Sequence, residues 1–368
     1  MKVAYLLGSL SRGGTETLVL DVFKSSEKAS YDFIGIHRKD GPLKDDFYAT
    51  IPDFIKCGPK GFHFISYLYR LRKLLKLNHV NIAHAQQFLD AIYAKLACMG
   101  TGIKVVETFH GYDFGTGWLN RLMIKLSMMF SDAICFVSEE EKRYYLEKYG
   151  QRFSSKSYVV YNGVNFDKII KVKDTSTTSN DDLKPLLMGA VGNFVIGRDQ
   201  FTLCKFLHLL DMEGVEFKFY FVGRRNDNEP WRFDDCVKFC QENGLSDKVE
   251  FLGARSDVPE LLASWDAFLY STDHDTFGIA VVEAIAAGVP TFVNDWSVMN
   301  EITDNGKLAH LYKTKDPADL LRVFKDYLQN RTAYEREAVV NANVIREKFS
   351  IEKHLEALSG VYGKLRQA

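Results

Sequence analysis

Chemistry in this sequence concentrates in Ser271 to Val293, STDHDTFGIAVVEAIAAGVPTFV, where two carboxylates, Asp275 and Glu283, flank a turn from strand into helix. The helix is expected to start near Phe277 and to stop at Gly288 and Pro290. A helix N-terminus at the carboxyl end of a parallel strand offers backbone N–H groups and the positive end of a dipole, an arrangement that binds a diphosphate. The amides of Phe277, Gly278 and Ile279 are the expected donors. Glu283 falls inside an otherwise apolar helix, where an unpaired carboxylate is costly. It should therefore have a hydrogen-bonding partner, either ribose hydroxyls or a neighbouring Lys or Arg.

Two metal readings compete with this one. Asp273, His274 and Asp275 form a D-x-D, a pattern that in a single-domain nucleotide-binding architecture holds a divalent ion on a diphosphate. The two strand series described below argue against it. Cys236 and Cys240 are one helical turn apart, but no CxxC pair or nearby His completes a soft-metal site. All six cysteines, at 57, 98, 135, 204, 236 and 240, read as buried or free thiols of a reducing compartment.

The acidic segment resembles the E-x7-E signature of retaining glycosyltransferases of the GT-B fold, in particular glycosyltransferase family 4, with Asp275 in place of the first Glu. The resemblance implies that Asp275 lies by the donor sugar and that Glu283 binds the ribose. It runs along nearly the whole chain. LGSLSRGGTET, Leu7 to Thr17, resembles the family's first strand and Gly-Gly loop, where Gly13 and Gly14 let the backbone approach diphosphate and acceptor. ETFHGYDF, Glu107 to Phe114, resembles the His-containing loop, which gives His110 a contact with the transferred sugar. FVSEE at Phe136 and VVYNGVNFDKI at Val159 match two further landmarks. In AVGNFVIGRDQFTLCKFL, Ala190 to Leu207, Asn193 stands at the family's usual Arg and Arg198 at its usual Lys, so one cation of the diphosphate clamp remains. Arg198 can bind phosphate bidentately, and Arg12 could complete the clamp. FVGRRNDN at Phe221 and FLGARSDVPELLASWDAF at Phe251 resemble the base-reading region, with Arg224 and Arg255 as candidates near base and phosphates.

Positioning these residues requires two layers of alternating strand and helix. Val3 to Leu7, Phe33 to His37, Ile82 to Ala85, Lys104 to Phe109, Ala133 to Val137 and Tyr158 to Tyr161 form a first series of strands. Leu186 to Val191, Phe217 to Val222, Val249 to Leu252, Ala267 to Tyr270 and Pro290 to Val293 form a second. Between them Lys171 to Pro185 is polar and reads as a connection. The expected fold is α/β, GT-B: an N-terminal acceptor-binding Rossmann-like domain of residues 1–170, a donor-binding one of residues 171–350, and a final helix, about 351–368, crossing back to the first. Phe62 to Asn78 reads as an amphipathic helix with Phe64, Leu68, Leu71 and Leu75 on one face and Arg72, Lys73 and Lys76 on the other. It is either a packed surface helix or a contact with an anionic membrane. The helix from Leu119, apolar around most of its circumference, is either deeply buried or a second membrane element.

Composition closes off other classes. Lys plus Arg number 47 against 48 Asp plus Glu, which predicts neither nucleic-acid binding nor a polyacidic substrate. No apolar run approaches a membrane span, and the N-terminal run lacks a signal-peptide pattern, so the expected location is cytoplasmic, peripheral on the inner face of the cytoplasmic membrane if the basic helix docks there. The reading is a metal-independent glycosyltransferase without cofactor, moving a hexose-type unit from a UDP- or GDP-sugar to a saccharide acceptor, lipid-linked, in surface-polysaccharide or glycoconjugate assembly. A nucleotide-sugar 2-epimerase-like enzyme and a non-catalytic nucleotide-sugar-binding protein are the alternatives.

Overall fold

In the computed structural model the described residues are 1–11, 13–51, 53–59, 63–114, 116–169 and 184–367. Arg12, Phe62 and most of the expected connection at 171–185 lie outside them. Contacts divide the chain into residues 1–164 with 349–368, and residues 165–348. The cuts fall at 164/165 and 348/349, against the expected 170 and 350, because the backbone N–H of Val164 bonds the carbonyl of Phe349 at 2.9 Å and pairs the two crossing segments side by side in the first unit.

The first unit holds a parallel sheet in the order β3-β2-β1-β4-β5-β6-β7. Its strands are β1 (Lys2–Ser9), β2 (Asp32–Lys39), β3 (Phe54–Lys56), β4 (Ile82–Ala85), β5 (Lys104–Phe109), β6 (Ala133–Phe136) and β7 (Ser157–Val159). All but β3 fall on the expected runs. β3 is a three-residue edge strand pairing only with β2, too short to show as an apolar run. The helices are α1 (Gly14–Lys24), α2 (Lys44–Thr50), α3 (Phe64–Leu77), α4 (Phe88–Cys98), α5 (Trp118–Phe130) and α6 (Glu139–Tyr149). The C-terminal helix (Ile351–Gln367) closes this unit, burying Ile351, Leu355, Leu358, Val361, Tyr362 and Leu365 in the core under β1. Its Tyr362 hydroxyl meets Nδ1 of buried His84 at 2.6 Å, and Nε2 of that ring meets Thr108 Oγ1 at 2.7 Å, so one imidazole ties the helix to β4 and β5. Burial pushes the His84 pKa down to about 3 and keeps the ring neutral.

α3 packs through the expected Leu71 and Leu75, with the inward face shifted toward Tyr67 and away from Phe64. Tyr67, Leu71 and Leu75 are buried, while Phe64 is 38% exposed and Leu68 only half-buried. Arg72 donates to the carbonyls of Ala97 (2.9 Å) and Met99 (2.6 Å), using its guanidinium to cap the end of α4. α5 is not deeply buried: Ile124, Ser127 and Met128 face in, and Trp118, Leu119 and Leu122 face out.

The second unit repeats the plan in the order β10-β9-β8-β11-β12-β13, all parallel. Its strands are β8 (Leu186–Val191), β9 (Phe217–Val222), β10 (Val249–Gly253), β11 (Ala267–Tyr270), β12 (Thr291–Asn294) and β13 (His310–Tyr312). Between and after them run α7 (Gln200–Met212), α8 (Trp231–Glu242), α9 (Val258–Ser264), α10 (Ile279–Ala287), α11 (Ser297–Ile302), α12 (Pro317–Gln329) and α13 (Arg331–Lys348). Both sheets reverse strand order beside their first strand, between β1 and β4 and between β8 and β11. The carboxyl ends there form the crevice in which open α/β sheets take ligands. All six cysteines are free and buried, and the described residues contain no group of three or more His, Cys, Asp or Glu able to hold a metal.

Candidate functional site

In the second unit, β8 and β11 deliver the candidate residues to one place. β8 ends at Val191 and leads through Gly192, Asn193, Gly197 and Arg198 into α7; β11 ends at Tyr270 and leads through Asp275 into α10. Arg198 Nη1 lies 2.8 Å from Asp275 Oδ2, with the Arg198 side chain 25% exposed. The Tyr270 hydroxyl donates to the same carboxylate oxygen, and the Arg198 guanidinium sits 5.3 Å from the centre of the Tyr270 ring. Burial works against the charge on Arg198, but Asp275 and Tyr270 outweigh it and hold its pKa above the usual value. Burial chiefly pushes the Tyr270 phenol well up, so the ring stays a neutral donor.

The two loops are laced together. Arg198 and Thr272 form an antiparallel bridge, Asp199 N–H donates to Ser271 O at 3.0 Å, and Thr272 Oγ1 donates to Gly197 O. Gly197 has φ +90°, and a Cβ there would stand 2.9 Å from that of His274, so the close approach requires glycine. Asn294, at the end of β12, brackets Thr272 from the other side, accepting from its N–H at 2.8 Å and donating to its carbonyl at 2.7 Å.

α10 begins at Ile279, two residues later than expected, because Gly278 adopts φ 84° as its N-cap. A Cβ on Gly278 would lie 2.7 Å from Met299 Cε and 3.4 Å from Asp275 Oδ2. The first intrahelical bonds run to the Gly278 carbonyl from Val281 and Val282, so the amides of Gly278, Ile279 and Ala280 precede the ladder. Phe277 is placed differently from its neighbours, with its side chain 2% exposed in the core. Glu283 is half-buried on α10 between buried Val282 and Ala284.

Other expected residues have local partners. Asn193 is exposed, and its Oδ1 accepts from the Arg224 backbone N–H at 2.9 Å, bracing the ends of β8 and β9. The Arg224 side chain is exposed at the same sheet edge. Arg255 is paired with Asp257 at 2.5 Å. Asp273 and Asp275 pair with different cations. Asp273 meets Lys315 at 2.7 Å and His274 at 2.6 Å, and against the effect of burial these partners hold its pKa low. Tyr270, Thr272, Gly197 and Asn294 were not singled out by sequence pattern. Their roles depend on contacts between distant segments that no local spacing signals.

His110, Gly13 and Gly14 belong to the first unit. Gly13 caps α1 in an extended conformation (φ −136°) open to any residue; a Cβ there would lie 2.8 Å from Glu16 Oε2, so its approach is to its own helix. Gly14 is the exposed first residue of α1. His110 follows β5 and lines a cavity of about 400 Å³ with Gln86, Thr108, Thr116 and Ile124 among its walls. His110 Nε2 donates to Gln86 Oε1 at 2.8 Å, while Gln86 Nε2, on a side chain only 5% exposed, has no hydrogen-bond partner among the described residues. Burial, with a smaller push from His354, depresses the His110 pKa to about 3. The ring is neutral at pH 7 and acts through hydrogen bonds without charge. The loop is held by Asp113, which accepts from Tyr144 (2.5 Å), Lys148 (2.6 Å) and Tyr149, and by Tyr145, which donates to Gly111 O at 2.8 Å.

Comparison with known proteins agrees with this architecture. The family model described as Glycosyltransferase Family 4 matches residues 12–168, and that described as Glycosyl transferases group 1 matches residues 173–344. The O-antigen biosynthesis glycosyltransferase WclY of Escherichia coli is 20% identical over 378 residues, 99% of each chain. The UDP-Gal:alpha-D-GlcNAc-diphosphoundecaprenol alpha-1,3-galactosyltransferase of Escherichia coli is 22% identical over 413 residues, 98% of this chain and 96% of that one. The crystal structure of Anabaena HepE in complex with UDP-glucose superposes with a TM-score of 0.83 at 16% identity, covering 100% of both chains. The two family models meet end to end on the two Rossmann-like units, and the chain belongs to the glycosyltransferases of family 4, with the GT-B fold.

Proposed function

We propose that this glycosyltransferase moves a hexose-type unit from a UDP- or GDP-sugar, with retention of anomeric configuration, to a lipid-linked saccharide acceptor in surface-polysaccharide assembly. It would work in the cytoplasm as a peripheral protein at the inner face of the membrane. The observation that carries the reading is the Arg198–Asp275 pair at the carboxyl ends of β8 and β11, beside the opening amides of α10. A guanidinium and a helix N-terminus at a strand-order reversal are what a nucleotide diphosphate needs. The names of the relatives support a UDP-sugar donor and an acceptor on diphosphoundecaprenol.

In this reading the bond from the anomeric carbon to the diphosphate oxygen breaks while an acceptor hydroxyl attacks the same face and passes its proton to the leaving diphosphate. Arg198 and the α10 amides stabilise the charge that develops on the leaving group. Arg198 is already neutralised by Asp275, so the diphosphate must share the guanidinium, and Asp275, steadied by Tyr270, is left beside the sugar. Glu283 takes the ribose, and Arg224 stands near base and phosphates. Neutral His110 meets the transferred sugar by hydrogen bonding. In this reading the reaction needs no metal, because each acid of the D-x-D is already engaged by a cation of the chain.

The test is a thermal-shift panel of nucleotide sugars followed by turnover with and without lipid-extract acceptors, each in EDTA. Selective stabilisation by a UDP- or GDP-sugar and acceptor-dependent nucleotide release in EDTA are expected. Sugar conversion without acceptor would favour an epimerase, binding without turnover a sensor, and rescue of activity only by Mn²⁺ the D-x-D metal site.

A further inference from the structure

α5 carries a cavity wall on one side and an apolar stripe on the other. Its buried Ile124, with Thr116 just before the helix, lines the cavity that holds His110 and Gln86. On the outer side Trp118, Leu122, Lys125 and Met129 follow one another at spacings of four, three and four, which sets them along one line of the helix. Trp118 is 76% exposed, Leu119 56%, Leu122 45% and Met129 43%. α4 packs against α5, and Leu96 on it and Met99 just after it are exposed as well. Contiguous apolar exposure of this kind marks a surface that meets something.

The residues among the apolar ones indicate what that partner is. Lys125 sits inside the stripe and Arg121 at its border, both exposed. The core of a protein–protein interface is depleted in Lys, whereas a lipid surface accepts long cations, whose stems lie along apolar groups while their heads reach phosphates. Trp at one end of the stripe suits the headgroup boundary. No helix among the described residues is long and apolar enough to cross a membrane, so the contact is with a surface. α3 offers less: its Arg72 is committed to the carbonyls of Ala97 and Met99.

We propose that α5 docks this protein on an anionic bilayer, with Trp118, Leu119, Leu122 and Met129 in the headgroup–acyl boundary and Arg121 and Lys125 on lipid phosphates. The cavity behind Ile124 then lies about one helix diameter, ~10 Å, from the headgroups, in reach of the saccharide head of a lipid-borne acceptor. This rests on the acceptor reading above and assigns that acceptor's approach to α5 rather than to the basic helix α3.

The experiment is flotation of the full chain with vesicles of phosphatidylcholine and phosphatidylglycerol (about 3:1), and of phosphatidylcholine alone, at low and high salt. It compares wild type, the triple variant Trp118→Ser/Leu119→Asn/Leu122→Gln and the pair Lys73→Glu/Lys76→Glu. Wild type is expected to float with the anionic vesicles, more weakly without phosphatidylglycerol or at high salt. The triple variant should lose about tenfold or more of that binding while keeping wild-type melting temperature and UDP affinity, and the α3 pair about threefold at most. Equal flotation of wild type and triple variant, no flotation of wild type, an α3 loss as large as the α5 loss, or a dimer that the triple variant dissolves would each overturn the proposal. Wild type that floats through α5 yet binds no nucleotide sugar would instead overturn the glycosyl-transfer reading and leave this one standing.

Discussion

The two units present opposite electrostatics at matching ends of their sheets. Beyond β8 and β11 stands an ion pair, Arg198 with Asp275, with the second pair Asp273–Lys315 beside it. Beyond β4 and β5 stand a neutral imidazole, an amide and a hydroxyl, in His110, Gln86 and Thr108, and the buried carboxylate of Asp113 on the same cavity wall is already matched by Lys148. One end is suited to a ligand whose charge must be matched, the other to hydroxyls that need directed hydrogen bonds and no charge. In the proposed function a common sheet topology thus serves a diphosphate in one unit and a sugar in the other, through the residue types placed on the same loops.

The sharpest way to break this contrast is at its charged end. Arg198→Ala should lower turnover by about 10² to 10³, corresponding to roughly 3–4 kcal/mol of lost stabilisation of the leaving group. Arg198→Lys should recover only part, since an ammonium cannot make the bidentate contact. Near-full turnover in the alanine variant, measured by nucleotide release, would make the Arg198–Asp275 pair structural only.

At the neutral end the expected effect is smaller. His110→Ala should cost about tenfold to a hundredfold in turnover with nucleotide affinity unchanged. Because the His110 pKa is about 3, wild-type activity should show no break from this residue between pH 5 and 8. A break near pH 6.5 that disappears in the alanine variant would mean that the imidazole works charged.

The smallest effect probes a buried acid of the first unit that has no cation to match it closely. Glu107, on β5 two residues before Phe109, is fully buried, and burial pushes its pKa from 4.5 to about 8 against smaller pulls from Ser127, Ser131 and Lys156. The unfolded chain releases this proton at lower pH than the native state does, so stability falls as pH rises from about 4.5 to about 8 and is level above. Glu107→Gln should therefore melt higher than wild type at pH 8, by about 1 kcal/mol or more, and no higher at pH 4. Equal melting differences at the two pH values would remove the ionisation argument.

Much of the architecture is legible in the sequence because parallel strands covered on both faces are nearly unbroken apolar runs, as in Phe217 to Val222. β3 escaped because three edge residues make no such run. On α3 the pattern found Leu71 and Leu75 but missed buried Tyr67, since an aromatic hydroxyl reads as polar even where its ring is covered. At the candidate site Glu283 stood out as a charge in an apolar helix, and Arg198 and Asp275 through the family resemblance. The lattice that fixes them did not, since Thr272 and Gly197 are 75 residues apart and meet only once β8 and β11 are neighbours. Asn193 illustrates the same limit, because its oxygen serves the backbone of Arg224, 31 residues on.

The most direct measurement is calorimetric titration of UDP and GDP, in EDTA, into wild type, Arg198→Ala, Glu283→Gln and His110→Ala. One nucleotide should bind wild type without metal, about tenfold or more weakly to the Arg198 and Glu283 variants, each losing a charge-assisted hydrogen bond, and equally well to the His110 variant. Nucleotide binding that survives loss of Arg198 and Glu283 but falls with His110 would place the diphosphate in the wrong unit and contradict the account.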